Sequence, residues 1–103
     1  MVIARWTTPS ITYTPSATTP DNIAEIRLVI SQNGADVIIK DQTTATISDG
    51  AFIWDFAQGE TSVLTLAKMV SVKIDYLTND GKRYTTKRFD ANVVDSAIDE
   101  EIS

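Results

Sequence analysis

The stretch that decides the fold is Ser48-Asp49-Gly50-Ala51-Phe52-Ile53-Trp54-Asp55-Phe56. Asp49 and Gly50 suit the positive φ angles of a two-residue type I′ turn. After the turn, Phe52, Trp54 and Phe56 recur with period two, which places three aromatic rings on one face of a strand. We predict that this aromatic stripe packs in the core and is not a ligand-stacking platform. The turn sets Ile47 opposite Phe52, and beyond it Ala45 opposite Trp54 and Thr43 opposite Phe56.

A second turn of the same kind is predicted at Asn33-Gly34. A two-residue loop there sets Ile30 opposite Val37 and Leu28 opposite Ile39, so both strands direct these side chains to one face. The opposite face then carries Arg27, Val29, Ile38 and Lys40.

A third hairpin is predicted around Asn79-Asp80-Gly81. A type I turn followed by Gly81 in the left-handed region sets Tyr76 opposite Tyr84 and Ile74 opposite Thr86. A plain type I′ turn on Asp80-Gly81 would instead set Tyr76 opposite Thr85. We prefer the bulged turn because it aligns Tyr84 with the apolar face of the preceding strand.

The chain of 103 residues is long enough for one domain over residues 1–103, and 43% hydrophobic residues can supply its core. Strands are predicted at residues 10–14, 23–32, 35–41, 43–47, 51–57, 68–78 and 82–93. Between the fifth and sixth strands, Val63, Leu64 and Leu66 indicate a helical turn that crosses between sheets. The prediction is an all-β, immunoglobulin-like two-sheet sandwich of about seven strands with one short helical cross-over, and a small barrel is the alternative.

The two ends of the chain differ from the middle. Three prolines punctuate the first twenty residues, so residues 1–9 are expected to form an extended arm before an edge strand. Residues 95–103 are expected to form a short acidic tail. Neither a signal peptide nor a membrane-spanning stretch is evident, which predicts cytoplasmic synthesis.

Composition excludes several classes of function. A formal charge of −5 and a pI near 4.4 disfavour nucleic acid and anionic membrane surfaces as partners. The chain has no Cys and no His, which removes disulfides, thiolate nucleophiles and the commonest catalytic base. No motif sets a base beside a serine, and no loop has the spacing of a calcium or phosphate site. We therefore predict no enzyme activity, no catalytic residues, no cofactor and no metal site.

The candidate partner contacts come from two places. One is the basic cluster Lys82-Arg83 with Lys87-Arg88 around Tyr84, which is either a hydrated strand face or a contact for a protein partner such as the acidic tail of a neighbouring copy. The other is Trp6 in the arm, which either folds back over an open end of the sandwich or docks into another subunit. The predicted partner-contact residues are Arg5, Trp6, Lys82, Arg83, Tyr84 and Lys87.

Three segments carry a family resemblance: residues 72–87, residues 5–13 and Ile23-Ala24-Glu25-Ile26. They resemble small prophage-encoded proteins of gut Firmicutes and are similar to the amino-terminal β-sandwich domains of phage baseplate upper proteins. The resemblance implies a virion structural protein, associated with a tail or baseplate. It would contact other virion proteins or copies of itself in a homo-oligomer through its arm and sheet edges. A carbohydrate- or surface-binding module with exposed coplanar aromatics, Trp54 and Trp6, is the alternative.

Overall fold

The computed structural model describes residues 2–16, 18–66, 68–86, 88–97 and 101. Within them, helix α1 spans Gln58–Thr61 and a 3-10 helix spans Pro20–Asn22. The strands are β1 Val2–Ala4, β2 Ser10–Tyr13, β3 Ile23–Gln32, β4 Ala35–Asp41, β5 Thr46–Ser48, β6 Ala51–Asp55, β7 Met69–Thr78, β8 Arg83–Thr85 and β9 Phe89–Val94.

The strands form two separate sheets. The larger has the order β1-β9-β7-β3-β4, with β8 also paired to β7, and the smaller has the order β2-β6-β5. The chain leaves the larger sheet after β4, builds the β5–β6 hairpin in the smaller one, and returns through α1 to β7. The predicted all-β two-sheet sandwich is confirmed, and so is its short helical cross-over. The helix itself lies a few residues before the predicted Val63–Leu66 turn, although Leu64 is buried as expected.

The first hairpin has the predicted turn and a different register. Asn33 and Gly34 both have positive φ, at 56° and 77°, as a type I′ turn requires. A bulge beside Ser31 then shifts the ladder by one residue, so Ile30 pairs with Ile38 and not with Val37. The predicted pair of Leu28 with Ile39 is wrong for the same reason, because Leu28 pairs with Lys40.

That shift exchanges the two faces of β4. Ile38 enters the core, whereas Val37 and Ile39 are exposed. The sequence Val37-Ile38-Ile39 has no alternation, so its apolar residues do not reveal which face is buried.

The second hairpin confirms the pair of Ile47 with Phe52, but β5 starts at Thr46 and not at residue 43. Its start is delayed because the Asp41 carboxylate accepts the Thr43 N–H at 2.9 Å and holds a turn there. The predicted pairs Ala45–Trp54 and Thr43–Phe56 therefore lie outside the ladder.

The third hairpin confirms the bulged turn, with Tyr76 opposite Tyr84 and Gly81 at a φ of 87°. The predicted strand 82–93 is divided into β8 and β9. Thr86 N–H still donates to the Ile74 carbonyl at 2.8 Å, but Phe89 pairs with Val72. One extra residue thus enters the ladder between Thr86 and Phe89 and interrupts the strand.

The aromatic stripe lies between the two sheets, as predicted. Trp54 is 0% exposed, and Phe52 and Phe56 are buried with it. The Trp54 indole N–H donates to the Asp41 carbonyl at 2.9 Å, so the polar end of the ring has a partner inside the sandwich. The larger sheet covers the rings with aliphatic side chains of β3 and β7, namely Ile26, Leu28, Ile30, Val70, Val72 and Ile74.

The expected extended arm is part of the domain. Strand β1 pairs in parallel with β9, and the side chain of Ile3 in β1 is buried in the core. Arg5 donates through its guanidinium to the Ser62 carbonyl at 3.0 and 3.2 Å. Thr7 and Thr61 exchange hydrogen bonds, from Thr7 N–H at 3.1 Å and from the Thr61 hydroxyl at 2.9 Å. These contacts attach residues 2–7 to β9 and α1 of the same chain.

We expect β1 to contribute to stability through one face only. Replacing Ile3, which is 2% exposed, by Ala should lower the free energy of unfolding by about 2–5 kcal/mol. Replacing Val2, which is 58% exposed, by Ala should change it by no more than about 0.5 kcal/mol. Urea unfolding followed by far-UV circular dichroism measures both values. Equal effects of the two substitutions would contradict the burial of Ile3 and the exposure of Val2.

Candidate functional site

The predicted partner-contact residues lie at opposite ends of the larger sheet. Arg5 and Trp6 follow β1, which runs beside the end of β9 and therefore beside Met69 at the start of β7. Arg83 and Tyr84 lie in β8, which pairs near the end of β7. Met69 and Tyr76 are seven residues apart on β7, so at about 3.3 Å per residue the two places are more than about 20 Å apart. Lys87 lies outside the described residues. The six predicted residues therefore do not form one continuous surface.

At the arm end, Arg5 and Trp6 are both partly buried by their own chain. Trp6 has a φ of 61°, a left-handed conformation that a bulky residue rarely adopts. The two interpretations of Trp6, folding back over the sandwich and docking into another subunit, stay predictions.

At the other end, Tyr84 belongs to a row of three tyrosines. Its ring stacks on Tyr76 with centroids 5.1 Å apart and planes at 23°, and Tyr13 lies on the far side at 6.2 Å from Tyr76. Burial raises the pKa of Tyr13 to about 12, assisted by the charge and hydrogen bond of Tyr76. Tyr13 therefore remains protonated at neutral pH.

The turn between β7 and β8 forms one wall of a recess of about 370 Å³. Asn79 fixes this wall to the 3-10 helix, because its backbone N–H donates to the Asn22 carbonyl at 2.8 Å and its side-chain amide to the Asp21 carbonyl at 3.0 Å. The recess is lined by Thr18, Asn22, Thr78, Asn79, Asp80, Lys82 and Tyr84.

Inside this turn, Asp80 accepts a hydrogen bond from the Thr78 hydroxyl. That bond and the nearby Lys82 charge outweigh burial and lower the pKa of Asp80. The Lys82 ammonium lies 4.0 Å from the Asp80 carboxylate. The recess thus presents an anionic and a cationic group side by side with an aromatic ring.

The basic cluster of β8 and β9 is balanced by carboxylates in the described part of the chain. Arg83 pairs with Asp75 at 3.0 Å, and Arg88 lies 3.7 Å from Asp90. The pKa of Asp75 is lowered, first by the hydrogen bond from the Thr85 hydroxyl and then by Arg83, against the effect of burial. These exposed pairs contribute little to stability. They do, however, reduce the positive field that an anionic partner would meet.

The buried polar side chains hold loops together. Gln32 donates to the Thr65 and Lys68 carbonyls at 3.0 and 3.3 Å and accepts the Thr65 N–H at 2.7 Å. Among the described residues, no buried side-chain nitrogen or oxygen lacks a hydrogen-bond partner, and no group of three or more acidic residues is placed to bind a metal ion. Sequence reasoning did not identify Gln32 or Thr61 as buried, because no sequence pattern around either residue distinguishes a buried polar side chain from an exposed one.

The free edge of the larger sheet at β4 carries an inward-facing charge. Lys40 pairs with the buried Leu28, so its side chain turns toward the core and is only 12% exposed. Its ammonium forms an ion pair with Glu60 of α1 and lies 5.2 Å from the centroid of the Phe56 ring. Inward charges and bulges are devices that prevent an edge strand from pairing with another chain. β4, which has both, is therefore poorly suited to the edge-to-edge assembly that the sequence suggested.

The outer face of the larger sheet exposes aliphatic side chains near β1. Val2 and Met69 lie on either side of Asn92 in neighbouring strands, and each is 58% exposed. Val94 is exposed further along β9. These aliphatic side chains surround the polar Asn92, and exposed apolar residues grouped on one sheet face can mark a contact surface.

Comparison with protein-family models, curated proteins and solved structures found no match. In the part of the chain that the structure describes, no helix is long and apolar enough to cross a membrane.

We expect Lys40 to limit self-association through β4. Replacing Lys40 by Met should leave the fold intact, because an unbranched apolar chain fits over Phe56, but should produce species larger than wild type as concentration rises. Light scattering across a concentration series measures this. Lys73→Met, on the exposed face of the central strand β7, is the matched control. If the two variants have the same mass as wild type throughout, Lys40 does not protect the edge.

The ion pair of Glu60 makes a pH-dependent contribution to stability. Burial alone would raise the pKa of Glu60. The hydrogen bonds from Lys40 and from the Ala57 N–H have the larger combined effect, so the pKa lies below its usual 4.5. The stabilisation is therefore complete above that value and is lost as pH falls through the lower folded value. We expect Glu60→Gln, which retains the acceptor for Ala57, to melt below wild type at neutral pH. The difference between the two melting temperatures should shrink in acid, and a constant difference would contradict this assignment.

Proposed function

We propose that the protein is a non-enzymatic structural component of a phage or prophage particle, associated with the tail or baseplate, that acts through protein–protein contacts. The exposed aliphatic margin formed by Val2, Met69 and Val94 is the observation that carries this proposal. The resemblance of three sequence segments to prophage-encoded and baseplate proteins supports the virion as the setting.

The architecture suits such a role. A small sandwich with satisfied buried polar groups presents a fixed surface, so little conformational entropy is lost when a partner binds. Residues 2–7 are bonded within the chain, and β4 is protected by Lys40. We therefore assign the contact to the sheet face beside β1, with another virion protein or a second copy as the partner.

The alternative, a carbohydrate- or surface-binding module, was expected to use Trp54 and Trp6 as exposed aromatics. Trp54 lies inside the sandwich, so the aromatic stripe does not supply such a platform.

The test is to purify particles from a lysogen that encodes the chain and to identify their proteins by mass spectrometry. We expect the chain in the particles in a fixed ratio to the major tail protein. Met69→Glu should reduce incorporation about tenfold or more, because a charge at a contact centre must be desolvated. The control is Lys73→Glu, which alters charge on the same face away from the margin. Absence of the wild-type chain from intact particles would exclude the proposal.

A further inference from the structure

We infer that the recess beside the β7–β8 turn is a binding site for a neutral saccharide, with Tyr84 as the stacking surface and Asp80 and Lys82 as hydrogen-bonding groups. The inference is independent of any role in a particle. It places carbohydrate recognition at the opposite end of the sheet from the aliphatic margin.

Tyr84 provides a fixed aromatic plane. One face of its ring is covered by Tyr76 at 5.1 Å, and the residue remains 38% exposed although it occupies an inward-facing position of β8. Tyr76 in turn contacts Tyr13 of the smaller sheet, with ring centroids 6.2 Å apart. The apolar C–H face of a pyranose ring fits such a surface, since an amphipathic tyrosine offers an apolar body and a polar tip.

The polar groups suit a ligand that both donates and accepts hydrogen bonds. The Asp80 carboxylate is an acceptor, and the Lys82 ammonium is a donor. Each side chain is mostly exposed, and the 4.0 Å between them exceeds direct hydrogen-bond distance. A hydroxyl pair on neighbouring sugar carbons can satisfy both groups at once.

Charge selects a neutral ligand. An anion would meet the Asp80 carboxylate within a chain of net charge −5, and a cation would meet Lys82. The paired charges cancel, and a polyol gains hydrogen bonds to both without an unbalanced charge.

The recess is also formed in advance. The two hydrogen bonds from Asn79 to Asn22 and Asp21 fasten the turn to the 3-10 helix, and Lys82 N–H donates to the Thr78 hydroxyl at 3.1 Å. Binding would therefore require little ordering of the turn. Its volume of about 370 Å³ is at the small end of ligand sites, which suits a single sugar residue.

The experiment is a titration of the ¹⁵N-labelled full chain with the methyl glycosides of glucose, galactose and N-acetylglucosamine, followed by amide chemical shifts. We expect at least one glycoside to give saturable shifts at Asn22 and at residues 79–84, with a dissociation constant in the millimolar range. Tyr84→Ala should weaken binding about tenfold or more, whereas Tyr84→Phe should retain it because the ring remains. Arg83→Ala is the matched control, since Arg83 neighbours Tyr84 on the opposite face.

Three results would overturn the inference: no saturable shift with any of the three glycosides, shifts that Tyr84→Ala leaves unchanged, or saturation of the same amides by inorganic phosphate alone. If Tyr84→Ala does not fold, Asp80→Asn and Lys82→Ala decide in its place, and each should weaken binding severalfold. Incorporation of Tyr84→Ala into particles should equal that of Tyr84→Phe, which separates this site from the proposed particle contact.

Discussion

The structure depends on the burial and hydrogen bonding of Trp54 between the two sheets, beside the point where the chain passes from one sheet to the other. Its ring fills the space between the sheets, and its indole N–H meets the carbonyl of Asp41, the last residue of β4. The same residue, through its carboxylate, holds the turn that redirects the chain toward β5. If the indole N–H had no hydrogen-bond partner, the cost of burying it would cancel much of the free energy gained by burying the ring. Asp41 supplies that partner at the point where the two layers must be joined, and this fixes their relative placement.

Much of the architecture was predictable because local signals agreed with the global pattern. The three turns carry residues that tolerate positive φ, and the limits of β3 and β4 follow directly from the turn between them. The bulge in β4 was not predictable, because three consecutive apolar residues fit either face. The parallel strand β1 was also missed. Its pairing partner lies at the far end of the sequence, and a three-residue strand leaves no periodicity to read.

The candidate surface was less predictable than the fold. Sequence reasoning placed the partner contacts in two segments, the arm and the basic cluster around β8, and strand order sets these segments at opposite ends of the larger sheet. Tyr84 and Lys82 were identified as contacts, whereas Asn79 and Asp80 were attributed to turn formation alone. They form the turn, and they also shape the recess beside it, a relation that depends on the contact between the turn and a distant 3-10 helix. The lining of a recess depends on such tertiary contacts and not on spacing along the chain.

The pairing of β1 with β9 has a consequence for biogenesis. Strand β1 finds its neighbour only after β9 has been made, and closing so large a loop is slow. Until β9 has paired with β1, Ile3 and the neighbouring part of the core are exposed to solvent. A truncated chain that stops before β9 would lack this final closure and would be an easy substrate for proteases. Ile3 therefore gains its place in the core only after β9 has been translated.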